Sequence, residues 1–145
     1  MAYAALQRFE FELPLVDNQR LYFSRIGYDQ SIYGATETQL LTYLKDKHFT
    51  LVTGIAKPKP LVDFLQDAGY QFEHLSYPDH HNFSSSEIAS LKQKEIILTT
   101  EKDFVRLHDK LQKFALYYLP IKTQFLKKQE PFVRELVQSH VSNFR

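Results

Sequence analysis

The sequence predicts an α/β fold: a three-layer α/β/α sandwich with a mostly parallel, Rossmann-like sheet, preceded by a small β-ribbon. Its 145 residues are about the length of one domain with a single hydrophobic core. From residue 36 onward, four short apolar segments alternate with amphipathic segments of about three helical turns. Parallel strands need crossover connections of that kind, so this alternation indicates helices on the faces of a parallel sheet.

The opening of the chain has strand character instead. Residues 9–13 alternate apolar and acidic side chains, and residues 21–26 are rich in strand formers, with a turn signal at Asp17 between them. A two-stranded ribbon is marginal alone and must pack on a neighbour. We therefore predict a β-ribbon or linker segment over residues 1–35 and an α/β domain over residues 36–145.

Capping signals and apolar spacing predict the helices of this domain. Thr36 with Gln39, and Ser84 with Glu87, have the spacing of capping boxes. Thr100 is a third cap, and Gly69 is suited to end a helix in the left-handed conformation. The predicted apolar faces are Leu40, Leu41 and Leu44; Leu61, Phe64, Leu65 and Ala68; Ile88 and Leu91; Phe104, Leu107 and Leu111; and, after Pro131, Val133, Leu136, Val137, His140 and Val141.

The predicted strands between these helices are short, and their ends carry polar residues. They cover residues 49–53, 70–75, 96–99 and 114–119. In an open α/β sheet, ligands bind in a crevice outside the carboxyl ends of the strands. Polar clusters follow three of these strands, at residues 53–58, 78–83 and 99–103, so we expect them to line one rim.

Composition argues against several classes of function. Eighteen basic and seventeen acidic residues give a formal net charge of +1, which is too balanced to indicate nucleic acid or an acidic membrane surface. The chain has no cysteine and therefore no disulfide or thiolate metal site. Apolar runs also fall short of the roughly 20 residues of a membrane-spanning helix.

The Asp79-His80-His81 triplet is the first candidate for chemistry. A carboxylate beside two imidazoles is suited to bind a divalent metal or to orient a histidine as a proton carrier. A metal site generally needs a third protein ligand, and adjacent loop residues diverge, so we expect only one histidine to point with Asp79. The alternative is structural: Asp79 accepts backbone N–H groups while a histidine packs on Phe83.

The other two clusters also allow two readings. Gly54 follows a strand and precedes Lys57, so it suits either a phosphate cradle or simply a tight turn, and the GxxxxGK(S/T) spacing of a P-loop is absent from the chain. Thr100 caps a helix, and neighbouring carboxylates favour the positive end of that helix. Lys102 opposes the helix dipole there, which predicts a charge partner for it across the rim.

The clusters, in this order and spacing, resemble the carboxyl-terminal part of tetraacyldisaccharide 4'-kinase, the lipid A kinase of Gram-negative bacteria. The resemblance covers roughly residues 21–120. The matching residues are Thr53-Gly54-Ile55-Ala56 with Pro58, then Pro78-Asp79-His80-His81 with Phe83, then Thr99-Thr100-Glu101-Lys102-Asp103 with Val105 and Leu107, preceded by the strand-like segment 21–28.

The resemblance implies an enzyme that uses ATP and magnesium to phosphorylate the 4'-hydroxyl of a lipid A disaccharide 1-phosphate at the cytoplasmic face of the inner membrane. In that family the P-loop, the catalytic carboxylates and the membrane anchor belong to an amino-terminal domain, which this sequence lacks. We therefore expect the chain to be a carboxyl-terminal domain that is inactive alone. ATP and magnesium would be bound mainly by the missing domain, which would also make the membrane contact.

The resemblance also implies roles for individual residues. Asp79 and His80 occupy the positions that face the interdomain cleft, where the histidine contacts a catalytic carboxylate of the other domain. Gly54, Thr100 and Lys102 would line the nucleotide or interdomain cleft, and no residue of the chain is expected to bind a metal. Two alternatives remain: a metal-dependent phosphoesterase using the Asp79-His80-His81 triplet, and a non-catalytic interaction domain.

Overall fold

A computed structural model describes residues 14–17, 19–126 and 128–142. These residues divide into two compact units, one covering residues 28–121 and the other formed by the described residues before 28 and after 121. The strand predicted at residues 9–13 lies outside the described residues. The division into a linker at residues 1–35 and a domain at residues 36–145 stays a prediction.

The described residues form eight strands, four α-helices and two short 3₁₀ helices. The strands are β1 Ser24–Tyr28, β2 Ser31–Tyr33, β3 Thr38–Leu40, β4 His48–Thr53, β5 Gln71–Ser76, β6 Ile96–Thr99, β7 Ala115–Tyr118 and β8 Ile121–Phe125. The helices are α1 Lys59–Asp67, α2 Ser85–Leu91, α3 Glu101–Leu107 and α4 Glu130–Ser142, with the 3₁₀ helices at Leu41–Leu44 and His108–Lys110.

The unit of residues 28–121 is built on a mixed, mostly parallel sheet of six strands in the order β3-β2-β7-β6-β4-β5. The four strands β7, β6, β4 and β5 run parallel to one another. They correspond to the four strands predicted from the apolar segments. At the other end of the sheet, β2 pairs antiparallel with both β7 and β3. The predicted α/β fold with a mostly parallel sheet is thus confirmed.

Helices cover both faces of this sheet. On one face, Leu61 and Leu65 of α1 pack with Leu51 of β4 in one buried cluster. The second cluster contains Val52, together with Leu91 of α2 and Leu107 and Leu111 from α3 and the segment after it. Successive side chains of a strand point to opposite faces, so Leu51 and Val52 belong to different layers. This produces the predicted three layers.

The two predicted capping boxes had opposite outcomes. The Ser84 hydroxyl accepts the N–H of Glu87 and the Glu87 carboxylate accepts the N–H of Ser84, which confirms that box. The box at Thr36 and Gln39 was wrong, because Thr38–Leu40 is a strand paired with β2. Leu41–Leu44 then forms a single 3₁₀ turn, and its i, i+3 spacing buries both leucines without a longer helix.

The second unit contains a ribbon and a helix. The strand predicted at residues 21–26 is present as β1, and its partner in a two-stranded sheet is β8. The sequence did not predict β8, which begins directly after Pro120. Helix α4 carries Pro131 in its first turn as expected, and Phe132, Leu136 and Val137 on it are more than half exposed. Within the described residues, no helix combines the length and apolarity required to cross a bilayer.

Candidate functional site

The crevice of the sheet lies at the carboxyl ends of β4 and β6. The chain leaves β4 through α1 to reach β5 on one side, whereas β6 lies on the other side of β4 and leads through α3 to β7. The strand order therefore reverses between β4 and β6, and such a switch point is where open α/β sheets bind ligands. Gly54 directly follows β4, and Thr100 directly follows β6.

Gly54 is buried and contacts α3. Its backbone N–H donates to Oδ2 of Asp103 at 2.8 Å. A Cβ at this position would lie 2.9 Å from Oδ1 of Asp103 and 3.5 Å from the carbonyl oxygen of Pro78. Residue 54 therefore lies against both of the other predicted clusters, and this close approach, rather than a positive φ, is what glycine permits here.

Asp103 is a buried charge whose oxygens all have partners. Its side chain is 0% exposed. Besides the N–H of Gly54, Oδ2 accepts the Thr100 hydroxyl at 2.8 Å, and Oδ1 accepts Nη1 of Arg106 at 3.3 Å. Thr100 in turn caps α3 by accepting the N–H of Asp103. A buried carboxylate is tolerated when it is paired and hydrogen-bonded in this way, so Asp103 ties the end of β4 to the first turn of α3.

Lys102 has the charge partner that its position predicted. Its Nζ donates to Oδ1 of Asp79 at 2.8 Å across the rim. This hydrogen bond holds the pKa of Asp79 below its ordinary value. Both side chains are partly exposed, so the pair contributes little to stability, but it fixes the loop after β5 against α3.

His80 lies between two cationic side chains. Its backbone φ is 60°, in the left-handed region that few residues other than glycine adopt. Nη2 of Arg106 lies 3.0 Å from its Nδ1, and Nζ of Lys102 lies 3.2 Å from its Nε2. The ring is nevertheless 71% exposed. The loop thus presents the imidazole at the surface while two residues of α3 hold it.

His81 points elsewhere and has a structural role. Its Nε2 lies 3.0 Å from both carboxylate oxygens of Glu87. Its ring stacks on Tyr77 at 4.8 Å and meets Phe83 edge-on at 5.1 Å. The structure thus contains the structural alternative considered for the triplet: Asp79 accepts the N–H of His80, and a histidine packs on Phe83.

A family model described as tetraacyldisaccharide-1-P 4'-kinase matches residues 8–141, most of the chain. The chain belongs to this family. Tetraacyldisaccharide 4'-kinase of Flavobacterium johnsoniae is 40% identical over 130 residues, which cover 88% of this chain and 38% of that protein. The enzyme of Phocaeicola vulgatus is 34% identical over 149 residues, covering 92% of this chain and 40% of its own length. The chain therefore spans about two fifths of these curated relatives.

A solved structure agrees with the fold. The crystal structure of LpxK from Aquifex aeolicus, described as an "apo" form in complex with ATP, matches with a TM-score of 0.57 and 21% identity. The match covers 89% of this chain and 39% of the solved one. At that identity the likeness supports the α/β architecture. The resemblance to the tetraacyldisaccharide 4'-kinase family that the motifs predicted is confirmed by the family match.

The predicted site residues all lie at the carboxyl edge of the sheet. Gly54 and Thr100 meet at Asp103, while Asp79 and His80 meet at Lys102. The roles of these residues stay predictions. A phosphate cradle at Gly54 is not what the geometry favours, because the N–H that would contact the phosphate already donates to a carboxylate.

The sequence argument missed Arg106, which joins the two halves of this site. One guanidinium nitrogen contacts the buried Asp103, and another contacts the ring of His80. A signal was present in the sequence, since Arg106 follows Lys102 by four residues and such residues share a helix face. Because helical spacing alone cannot show which loop that face meets, the contact with His80 was not predictable.

The donor set at the rim does not favour the phosphoesterase alternative. The carboxylate of Asp79 faces the ammonium of Lys102, both ring nitrogens of His80 face cationic groups, and His81 contacts Glu87 instead. Cationic neighbours oppose the approach of a divalent metal. Across residues 14–142, as far as they are described, no three side chains of the ligand types His, Asp and Glu group closely enough to hold a metal.

Proposed function

We propose that this chain is the carboxyl-terminal domain of a lipid A 4'-kinase. The enzyme would transfer the γ-phosphate of ATP to the 4'-hydroxyl of tetraacyldisaccharide 1-phosphate at the cytoplasmic face of the bacterial inner membrane. The family membership supports the reaction, and the chain's length, about two fifths of its relatives, supports a division of labour with an amino-terminal P-loop domain. By itself the chain would be inactive.

The observation that carries this proposal is the placement of His80. The imidazole is exposed at the carboxyl edge of the sheet, next to the switch point, and is held there by Lys102 and Arg106. A left-handed backbone at a non-glycine residue costs about 1–3 kcal/mol and is found most often at functional sites.

In the proposed enzyme, His80 contacts the catalytic carboxylate of the amino-terminal domain. A neighbouring imidazole orients such a carboxylate and tunes its pKa for work as a general base. Asp79 fixes Lys102 beside the ring, and its lowered pKa keeps it ionised for this contact at neutral pH. The closed cleft would exclude water from the phosphoryl transfer, which is a common use of a second domain.

Gly54, Thr100 and Lys102 would line the nucleotide or interdomain side of the same cleft. The backbone N–H of Gly54 and the hydroxyl of Thr100 are both engaged by Asp103, so these two residues do not fit a phosphate-binding role of their own. ATP and magnesium would therefore be held mainly by the amino-terminal domain, where they supply the transferable phosphate and neutralise its charge. Lys102, whose ammonium is partly exposed, is the residue here suited to meet an anionic group.

The test is a kinase assay with radiolabelled ATP and tetraacyldisaccharide 1-phosphate. The enzyme is a chimera in which this chain replaces the corresponding part of the Flavobacterium johnsoniae relative. We expect the chimera to be active, and the variant His80→Ala to lose kcat by about 100-fold or more, as general acid–base contributions do. His48→Ala is the matched control, because His48 is exposed at the start of β4, the opposite end of that strand from the site.

Two results would contradict the proposal. Phosphorylation of the disaccharide by the 145-residue chain alone would remove the division of labour between two domains. A chimera in which His80→Ala turns over as fast as the parent would leave a non-catalytic interaction domain as the better description. Both measurements require only that circular dichroism shows the variants folded.

A further inference from the structure

We propose that Arg106 is a positioning residue that fixes the tautomer of His80, so that Nε2 carries the ring proton and offers it to a carboxylate oxygen. The proposal rests on the proposed function, in which His80 meets a carboxylate of the amino-terminal domain. The proposal names the ring nitrogen that makes this contact, Nε2, and the residue that determines the choice, Arg106. Nothing in the motif itself distinguishes the two nitrogens.

The contact between Arg106 and His80 determines the tautomer chemically. Nη2 of Arg106 lies 3.0 Å from Nδ1 of the ring, a normal hydrogen-bond length. A guanidinium group has only donors, so Nδ1 must be the acceptor in this pair. A neutral imidazole has one acceptor nitrogen and one N–H, so a ring that accepts from Arg106 carries its proton on Nε2.

Lys102 competes with Arg106 for the ring, because an ammonium also has only donors and a bond from it to Nε2 would place the proton on Nδ1. The contact from its Nζ to Nε2 is the longer of the two, at 3.2 Å against 3.0 Å, and Nζ has a shorter bond to Oδ1 of Asp79 at 2.8 Å. The shorter contact from Arg106 therefore decides which ring nitrogen accepts. The second oxygen of Asp79 lies 3.7 Å from Nε2, longer than a hydrogen bond. The Nε2–H group is thus poorly satisfied by the loop and suited to an incoming oxyanion, beside a lysine that favours negative charge.

Arg106 is itself immobilised, which is what makes it able to orient an exposed ring. Its side chain is 25% exposed, and its Nη1 contacts the fully buried Asp103. Asp103 is anchored in turn to the backbone of Gly54. A continuous set of polar contacts therefore leads from the end of β4 to the imidazole. The guanidinium reaches Asp103 through Nη1 and His80 through Nη2, two separate nitrogens that a lysine at this position does not offer.

The test is a long-range proton–nitrogen NMR correlation of the 145-residue chain labelled with ¹⁵N-histidine, recorded at a pH where the ring of His80 is neutral. We expect the wild-type ring to be the Nε2–H tautomer. In Arg106→Ala the Nδ1–H form should appear. Arg106→Lys is the second variant: it keeps a cation for Asp103 and so preserves the fold, but it should also lose the tautomer preference. Arg134→Ala, which removes an exposed arginine of α4, should leave the spectrum unchanged.

The outcomes separate this proposal from the proposed function. A wild-type ring in the Nδ1–H form, or a tautomer that does not respond when a folded Arg106 variant is examined, would overturn the role of Arg106 whatever the kinase assay shows. In the chimera, Arg106→Lys should lower kcat about 10-fold with little change in the KM for ATP, as loss of a catalytic orientation does. If the tautomer responds as expected while His80→Ala retains full activity, the proposed function fails and the positioning role stands.

Discussion

The backbone N–H of Gly54 and the carboxylate of Asp103 form a 2.8 Å hydrogen bond at the point where the strand order of the sheet reverses. In many α/β proteins this position receives an anion of the ligand. Here a side chain of the protein occupies it, and the same carboxylate holds Arg106. The crevice is therefore closed at its base, and the groups suited to meet a partner lie above it, at Asp79, His80 and Lys102.

Removing the charge of Asp103 should weaken the whole fold. In Asp103→Asn one oxygen is replaced by an amide NH₂, which cannot accept from Gly54, Thr100 or Arg106. Loss of buried hydrogen bonds to a charged group should lower the free energy of unfolding by about 3 kcal/mol. Urea denaturation measures this. Asp109→Asn is the control, with a side chain 85% exposed, and should change stability by less than about 0.5 kcal/mol. If both variants were equally stable, the hydrogen bonds of Asp103 would contribute no more free energy than the burial of its charge costs.

A methyl group at residue 54 should destabilise the fold. In Gly54→Ala the new Cβ would approach Oδ1 of Asp103 to 2.9 Å, so either the carboxylate or the strand end must move. We expect a loss of about 1–3 kcal/mol in the free energy of unfolding, typical of overpacking. Ala56→Ser, on the exposed part of the same loop, provides the control. A variant as stable as the parent would mean that the Asp103 side chain can shift at little cost.

The lowered pKa of Glu87 should make the stability of the fold sensitive to acid. Hydrogen bonds from the backbone and hydroxyl of Ser84 and from His81 lower the pKa of Glu87 from 4.5 to about 2. Because the pKa is lower in the folded protein, this stabilisation is complete above about pH 4.5 and is lost as the pH falls toward 2. Glu87→Gln keeps a side-chain acceptor for the capping box but cannot ionise. Its free energy of unfolding should therefore be lower at neutral pH and should fall less steeply below about pH 4.5 than that of the parent. Glu95→Gln is the control at an exposed position and should give the same curve as the parent.

Substitution of His81 should affect stability, whereas substitution of the adjacent His80 should affect turnover. His81→Ala removes a partner of Glu87 and an aromatic contact with Tyr77 and Phe83, so the free energy of unfolding should fall by about 1–2 kcal/mol. His80→Ala removes an exposed ring and should change stability by less than about 0.5 kcal/mol. In the chimeric kinase the order reverses, with His80→Ala losing turnover and His81→Ala retaining it. The same ranking in both assays would contradict the division of roles.

Local signals predicted the elements they control. The Ser84–Glu87 box begins α2, the left-handed Gly69 follows α1 with φ 77°, and the apolar run at residues 96–99 is β6. Prediction failed at Thr36, and the sequence analysis did not identify β2, β3 or β8. Strands of three residues such as β2 and β3 carry too little periodicity to be seen, and they form because β7 supplies a partner.

The sequence by itself determined the alternation of strands and helices, the caps, and the polar residues that follow each parallel strand, because these depend on neighbours within a few positions. It also carried the family resemblance. Only the tertiary structure decided that His80 and not His81 faces outward, that Asp103 closes the crevice, and that Arg106 links them. These are contacts across 26 positions between His80 and Arg106 and 49 between Gly54 and Asp103, and they exist only once the sheet places the three loops side by side.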